Sequence, residues 1–368
     1  MINVVPFRAG LPKKQKDYSS LIKTAKKDFS SAQNQYNRPD EAGLYIHNIV
    51  YNGRDYTGIV GLTHIQDYLS GRIIKHELTL AEKEQWQMDA LKERAALIKP
   101  VLLTCPGDTG LDDFLAEYIE RRPPDIEADL NNGTVHQFWS VRKGEYIGRV
   151  QSILSSFEQV YIADGHHRTE AFAKTYQQSN FDEGYSRFMT AYFSLDNLDI
   201  HAYHRVVTDP ELFRDPYQSI IRLKSVFEIR PMLDHPSYSR LQMKGPGMFL
   251  YFNDQWMQLT WRADILTKHK GEIRLETDLL NEHVFKELFD CKDIRHDTRI
   301  KYIDSTRGLD YLKNKTLEEV SMAFVLPSLS RDDFKYLLDR RIILPPKSTL
   351  FKPRLKNGLL VQFVNQKS

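Results

Sequence analysis

Tyr161-Ile162-Ala163-Asp164-Gly165-His166-His167-Arg168-Thr169-Glu170 sets an acid, a glycine, two imidazoles and a guanidinium between two readable elements. Upstream, Gln159 to Ala163 is a short apolar run with β-branched and aromatic residues, which predicts a strand. Downstream, Thr169 to Tyr176 mixes small and aromatic residues as a helix would. The charged cluster therefore falls on a strand-to-helix turn. There the first helical N–H groups lack intrahelical partners, the positive end of the helix dipole favours an anion, and Gly165 lets the backbone approach one closely. Arg168 adds a planar fork that matches phosphate or carboxylate. A structural account stands beside this one, with Asp164 as a helix cap, Arg168 as its surface partner and two solvated histidines. So many ionisable groups on one turn are costly without a ligand, which favours the functional account. The two histidines make a weak metal site, because adjacent side chains on an extended backbone point to opposite faces.

Working outward, Gly43 to Tyr51 and Asp55 to Leu62 read as strands joined by the turn pair Asn52-Gly53. Thr79-Leu80-Ala81-Glu82 matches a capping box, and Met88, Leu91, Ala95 and Ile98 follow as a helical stripe facing a core. Pro100 ends that helix, and Val101 to Thr104 predicts a buried strand. Leu111, Phe114, Leu115, Tyr118 and Ile119 form another amphipathic helix closed by Pro123-Pro124. Val150, Ile153, Leu154 and Phe157 share one side of the helix before the central motif. Further on, Met248 to Phe252 and Trp256 to Trp261 suggest a hairpin around Asn253-Asp254, then a helix from Thr277 to Phe289 and a strand at Met322 to Leu326. The expected division is 1–208, 209–343 and a tail of 344–368 that folds back so that Lys347, Ser348 and Thr349 approach the Asp164 turn.

Composition excludes several classes. With 51 basic and 49 acidic residues the formal charge is +2, far from the basic footprint of a dedicated nucleic-acid binder. Lys13-Lys14-Gln15-Lys16 and Lys23 to Lys27 read as a solvated N-terminal face. Cys105 and Cys291 are far apart, without metal-type spacing, which suits a reducing compartment and no disulfide framework. No apolar run reaches membrane-spanning length and the first residues do not look like a secretion signal, so a cytoplasmic protein with no membrane partner is expected.

Three further constellations carry chemistry. In Lys75-His76-Glu77, Glu77 is either a dipole partner of the following helix or a carboxylate aimed at a site. His204-Arg205 is either a second anion clamp or a structural pair bonded to backbone carbonyls. Pro345-Pro346-Lys347-Ser348-Thr349 offers an ammonium and two hydroxyls on a rigid lead-in, without the glycine-rich loop of a P-loop.

Together with Val60-Gly61-Leu62, Lys75 to Thr79 and His204 to Val207, the Ala163 to Arg168 and Pro345 to Thr349 runs resemble the bacterial family of unknown function numbered 1015, in order along essentially the whole chain. The central motif is also similar to the signature turn of the ParB/sulfiredoxin-like superfamily, which includes nucleotide-dependent free serine kinases. That resemblance implies an α/β (α+β) fold with a mixed-sheet ParB/sulfiredoxin-like core and a second, smaller α/β domain. It implies phosphoryl transfer to a small hydroxy amino acid, free serine first, with ATP or ADP and Mg²⁺ as cofactors, and the same parts could run toward phosphoserine hydrolysis. Under this reading Asp164, Glu77 and His166 are catalytic, with Glu77 as the base. Gly165, His167, Arg168 and Thr169, joined by Lys347, Ser348 and Thr349, hold nucleotide, and His76, His204 and Arg205 hold substrate. A non-enzymatic nucleotide-binding regulator of the ParB type would want a DNA-binding module, and no persuasive helix-turn-helix is present. A sulfiredoxin-like repair enzyme would need cysteine where His166 stands.

Overall fold

The computed structural model describes residues 1–15, 17–107, 110–233, 236–237, 247–318 and 320–364; Lys16 and residues 365–368 of the expected tail lie outside them. The chain falls into two compact units, Met1–Asp199 with Lys335–Ile343 and Phe351–Ser368, and Ile200–Phe334 with Leu344–Leu350.

The first unit is built on β1 (Val4–Val5), β2 (Leu44–Tyr51), β3 (Arg54–His64), β4 (Ile73–Ile74), β5 (Val101–Cys105), β6 (Ile126–Asp129), β7 (Thr134–Val141), β8 (Val160–Asp164) and β9 (Arg187–Ser194). They form one mixed nine-stranded sheet in the order β4-β8-β5-β9-β3-β2-β7-β6, with β1 paired to β3. β2 and β3 are the expected hairpin. Tyr51 pairs with Arg54, and Asn52 and Gly53 take φ of +52° and +73°, the double positive φ that a two-residue turn matching strand twist requires.

The strand order explains where the central motif points. β8 runs parallel to β4 and antiparallel to β5, with Val160 opposite Ile73 and Asp164 opposite Leu102. The chain leaving β4 and the chain entering β5 therefore both pass the end of β8. Residues 75–80 and Lys99-Pro100 reach the Asp164 turn by this route.

Among its helices are α1 (Tyr18–Lys27), α2 (Ala81–Arg94), α3 (Leu111–Glu120), α4 (Gly144–Ser155) and α5 (His166–Gln178). α5 begins at His166, three residues earlier than the apolar pattern predicts, so both histidines and Arg168 lie in its first turn. Thr169, Phe172, Ala173 and Tyr176 are buried at helical spacing, and the Phe172 ring meets that of Phe188 at 5.5 Å. Lys174 on α5 pairs with Glu84 on α2 at 2.5 Å.

Two expectations for α2 are corrected. Its N-cap is Leu80 without a side-chain cap, because the Thr79 hydroxyl bonds the Glu84 carboxylate instead of closing a capping box. It also stops at Arg94. Ala95 takes φ +47° and is exposed, and Ala96–Leu97 turns extended to pair with Gln362–Phe363, so Ala95 and Ile98 do not extend the helical stripe of Met88 and Leu91.

The second unit carries β10 (Tyr203–Thr208), β11 (Phe227–Pro231), β12 (Gly247–Phe252), β13 (Gln255–Trp261), β14 (Ile300–Asp304) and β15 (Ser321–Val325), ordered β11-β13-β12-β15-β10-β14. The β12–β13 hairpin turns at Asn253 and Asp254, both at positive φ, as expected. The helix expected over 277–289 is instead a short α-turn, Glu276–Leu279, that opens into a π-helix, Leu280–Lys286. Val284, Phe285 and Phe289 still reach the core of this unit with Phe324 and Leu250. Among the described residues, no helix is long and apolar enough to cross a membrane.

Candidate functional site

Gly165 makes the turn possible. It sits at φ +117° as the N-cap of α5, and a Cβ there would lie 2.8 Å from Arg168 Nη2 and 3.3 Å from Val101 Cγ2. The Arg168 guanidinium thus folds back over Gly165 toward the end of β8. Its Nη2 donates to Asp164 Oδ2 at 3.1 Å and to the Pro100 carbonyl at 3.3 Å.

A second cation meets the same carboxylate oxygen. Lys99 Nζ donates to Asp164 Oδ2 at 2.7 Å, from a side chain only 17% exposed. Burial would raise the Asp164 carboxyl, but Lys99 and Arg168 outweigh it and hold the group well below the usual carboxylate range. Burial lowers the Lys99 ammonium, Asp164 opposes that fall, and Arg168 adds to it. Asp164 is therefore a firmly ionised tether shared by two cations.

The histidines hold the neighbouring segment. His76 N–H points to His166 Nε2 at 3.5 Å, at the long limit of a hydrogen bond, and the two rings meet edge to face at 4.4 Å. Leu80 N–H donates to His167 Nε2 at 3.3 Å, so both imidazoles act as acceptors toward residues 76–80. Burial pushes His76 down to about 3, keeping it neutral. Glu77 is half-buried on this segment, directly after His76. The Thr169 hydroxyl donates to the Gly165 carbonyl at 3.1 Å, a bond within its own helix turn.

Lys99 and Arg168 open onto a cavity of about 250 Å³. Lys26, Arg94 and Trp86 also line it, together with Asn357 from the returning C-terminal segment. Its described lining holds four cations, one aromatic ring that is 57% exposed, and no carboxylate. Such a donor set suits an anion bearing a flat ring, as a nucleotide does. It does not suit Mg²⁺, which takes oxygen ligands. The sequence pattern signals Asp164 and Arg168 but not Lys99, Arg94, Trp86 or Asn357, and Lys26, which it places on a solvated face, lines the cavity instead.

The remaining predicted residues belong to the second unit. His204 and Arg205 lie inside β10, both buried. His204 Nδ1 accepts from Leu326 N–H at 3.2 Å, and burial pushes the ring down to about 3. Arg205 donates to the carbonyls of Tyr203 and Lys347 at 2.7 and 3.0 Å and lies over the Tyr302 ring. Arg205 thus meets backbone carbonyls, whereas His204 accepts from an amide. Lys347, at φ +62°, rests its ammonium 5.3 Å from the Tyr203 ring centroid. Ser348 donates to the Pro345 carbonyl at 2.7 Å, and Thr349 is half-buried beside it.

Solved structures of similar course are a free serine kinase in complex with AMP, at 13% identity over 79% of this chain and 86% of that one with a TM-score of 0.40, and SbnI with C-terminal truncation from Staphylococcus aureus, at 11% over 81% and 85% with a TM-score of 0.44. A conserved hypothetical protein from Pyrococcus furiosus gives 13% over 79% and 90%, with a TM-score of 0.39. None of the curated proteins matches this chain in sequence. The family model described as "Protein of unknown function (DUF1015)" matches residues 2–288, most of the chain, and the protein belongs to that family.

Proposed function

We propose that this protein is a nucleotide-dependent phosphotransferase that interconverts a small hydroxy amino acid, free serine first, with its phosphate ester. The observation that carries the reading is the cavity beside the Asp164 turn, lined by Lys99, Arg168, Arg94 and Lys26 together with an exposed tryptophan. Phosphoryl transfer depends on positioning and on neutralising charge at the phosphates, and these side chains supply both. Trp86 offers a face for the base.

Asp164 would act through its neighbours. A carboxylate held well below its ordinary pKa is a weak base, so it is better suited to fixing Lys99 and Arg168 than to taking a proton from an acceptor hydroxyl. Glu77, carried on the segment tied to α5 by His166 and His167, is the base under this reading. The acceptor comes from the likeness of the central motif to that of free serine kinases.

The test is phosphorus NMR on the protein with ATP or ADP and a panel of serine, threonine, homoserine and phosphoserine, run in both directions. Exchange between serine and O-phosphoserine signals is expected. If no amino acid alters the phosphorus spectrum while nucleotide still quenches tryptophan fluorescence in the wild type but not in Trp86→Phe, the acceptor is wrong and the nucleotide site stands. Absence of both effects removes the whole reading.

A further inference from the structure

Two histidine rings face each other in the second unit, at a place the proposed reaction does not use. His269 follows the helix Ala263–Lys268, His283 lies on the π-helix, and their Nε2 atoms are 2.8 Å apart. The other nitrogen of each ring meets a carboxylate: His269 Nδ1 is 3.3 Å from Glu272 Oε2, and His283 Nδ1 is 3.1 Å from Glu287 Oε2. An ionised carboxylate only accepts hydrogen bonds, so both Nδ1 atoms carry hydrogen. A neutral imidazole has a single N–H, which leaves two bare Nε2 lone pairs aimed at one another. That arrangement repels unless a cation lies between them. Glu282, adjacent to His283, brings a third donor, and the three candidate ligand atoms lie within 4.8 Å of one another.

We propose that His269, His283 and Glu282 form a site for a divalent transition-metal ion of the zinc class. Imidazole and carboxylate donors suit zinc, nickel or copper, whereas magnesium prefers all-oxygen sites. The Glu272 and Glu287 carboxylates on the outer nitrogens supply the support that metal-ligating histidines use to fix tautomer and ring orientation. Two imidazoles on one tetrahedral zinc place their nitrogens about 3.3 Å apart, so the rings need to part by about half an ångström. His283 and His269 are 3% and 10% exposed while Glu282 is 37% exposed, so an ion enters from the Glu282 side and keeps a position open to water. Arg274 holds Glu282 at 3.1 Å and Glu272 at 2.8 Å, and is the group the ion displaces at Glu282. The π-helix contributes directly: Glu287 N–H bonds the Glu282 carbonyl at 3.2 Å, and widened turns of this kind recur at functional sites.

The rival occupant is a proton, with one ring as imidazolium bonded to the other. Full-length protein stripped with a chelator and titrated with Co²⁺ separates the two. One equivalent is expected to bind with the visible absorption of tetrahedral nitrogen and oxygen ligation, and Zn²⁺ is expected to displace it. The band should vanish in His269→Gln and His283→Gln, and affinity should fall about tenfold in Glu272→Gln, where only the supporting carboxylate is changed. Glu282→Gln, at a partly exposed position, keeps the test open if the histidine variants fail to fold, and it should weaken binding. Absence of stoichiometric binding, or binding unchanged in Glu282→Gln and Glu272→Gln, overturns the site and leaves the proton.

Discussion

Asp164, Lys99 and Arg168 are coupled tightly enough that each substitution has a distinct expected outcome. Asp164→Asn leaves two cations side by side, both of them largely buried, so it should destabilise the protein at neutral pH. The pH dependence has a definite sign. The folded carboxyl lies below its ordinary value of 3.8, so its contribution is fully present above that value and disappears as pH falls through the lower folded one. Thermal melts of wild type and Asp164→Asn should therefore differ at pH 7 and begin to draw together only as pH falls below 3.8, toward the lower folded value, whereas a gap that stays constant through that range would show that the carboxylate is not the ionised tether. Lys99→Met and Arg168→Ala should each weaken nucleotide binding about tenfold or more, read by calorimetric titration, because each removes a cation from the cavity. Asp164 and Arg168 stand out in the sequence because their motif concentrates charge on one turn. Lys99 does not, since a lone lysine before a proline has no pattern, and only the antiparallel pairing of its strand with Val160–Asp164 brings it to the carboxylate.

At the scale of elements, the turn between β8 and α5 admits only glycine. Gly165→Ala combines an unfavourable φ with a Cβ set against Arg168, and should cost about 1–3 kcal/mol in urea unfolding while also lowering nucleotide affinity. Unchanged affinity would mean that the Arg168 guanidinium does not need its fold over the glycine. Both hairpins were legible because Asn-Gly and Asn-Asp between apolar runs demand positive φ, and the structure turns there. Helix ends were less so. Ala95 favours helix by propensity, yet α2 stops before it because the next two residues pair with Gln362–Phe363, a partner more than 260 positions away that no local pattern reveals. The π-helix was hidden for a similar reason: the apolar spacing of residues 277–289 fits an α-helix, and the wider turn is expressed only in its hydrogen bonds.

For the whole molecule, buried histidines should make stability fall on the acid side of neutrality. Burial pushes His76, His136 and His204 down to about 3, against an ordinary value of 6.5. The unfolded chain takes up these protons first, so stability falls as pH drops below about 6.5, by about 1 kcal/mol for each ring by pH 5.5. Denaturant unfolding between pH 7.5 and 5.5 checks this, and a flat profile would contradict it. Near-neutral charge leads to another expectation: binding to duplex DNA no stronger than that of an ordinary protein of similar charge, without a steep salt slope. A tight, sequence-selective complex at moderate salt would favour a regulator over an enzyme.

The chain's late return to its first unit has a consequence for synthesis. Gly358 N–H bonds the Ile98 carbonyl at 2.6 Å, Gln362–Phe363 pairs with Ala96–Leu97, and Asn357 lines the cavity. A ribosome has already translated Lys26, Arg94, Lys99 and Arg168 long before Asn357 emerges. The nascent chain therefore carries all four cations while one wall of their cavity is still missing, and that wall closes only once residues 357–363 have left the exit tunnel.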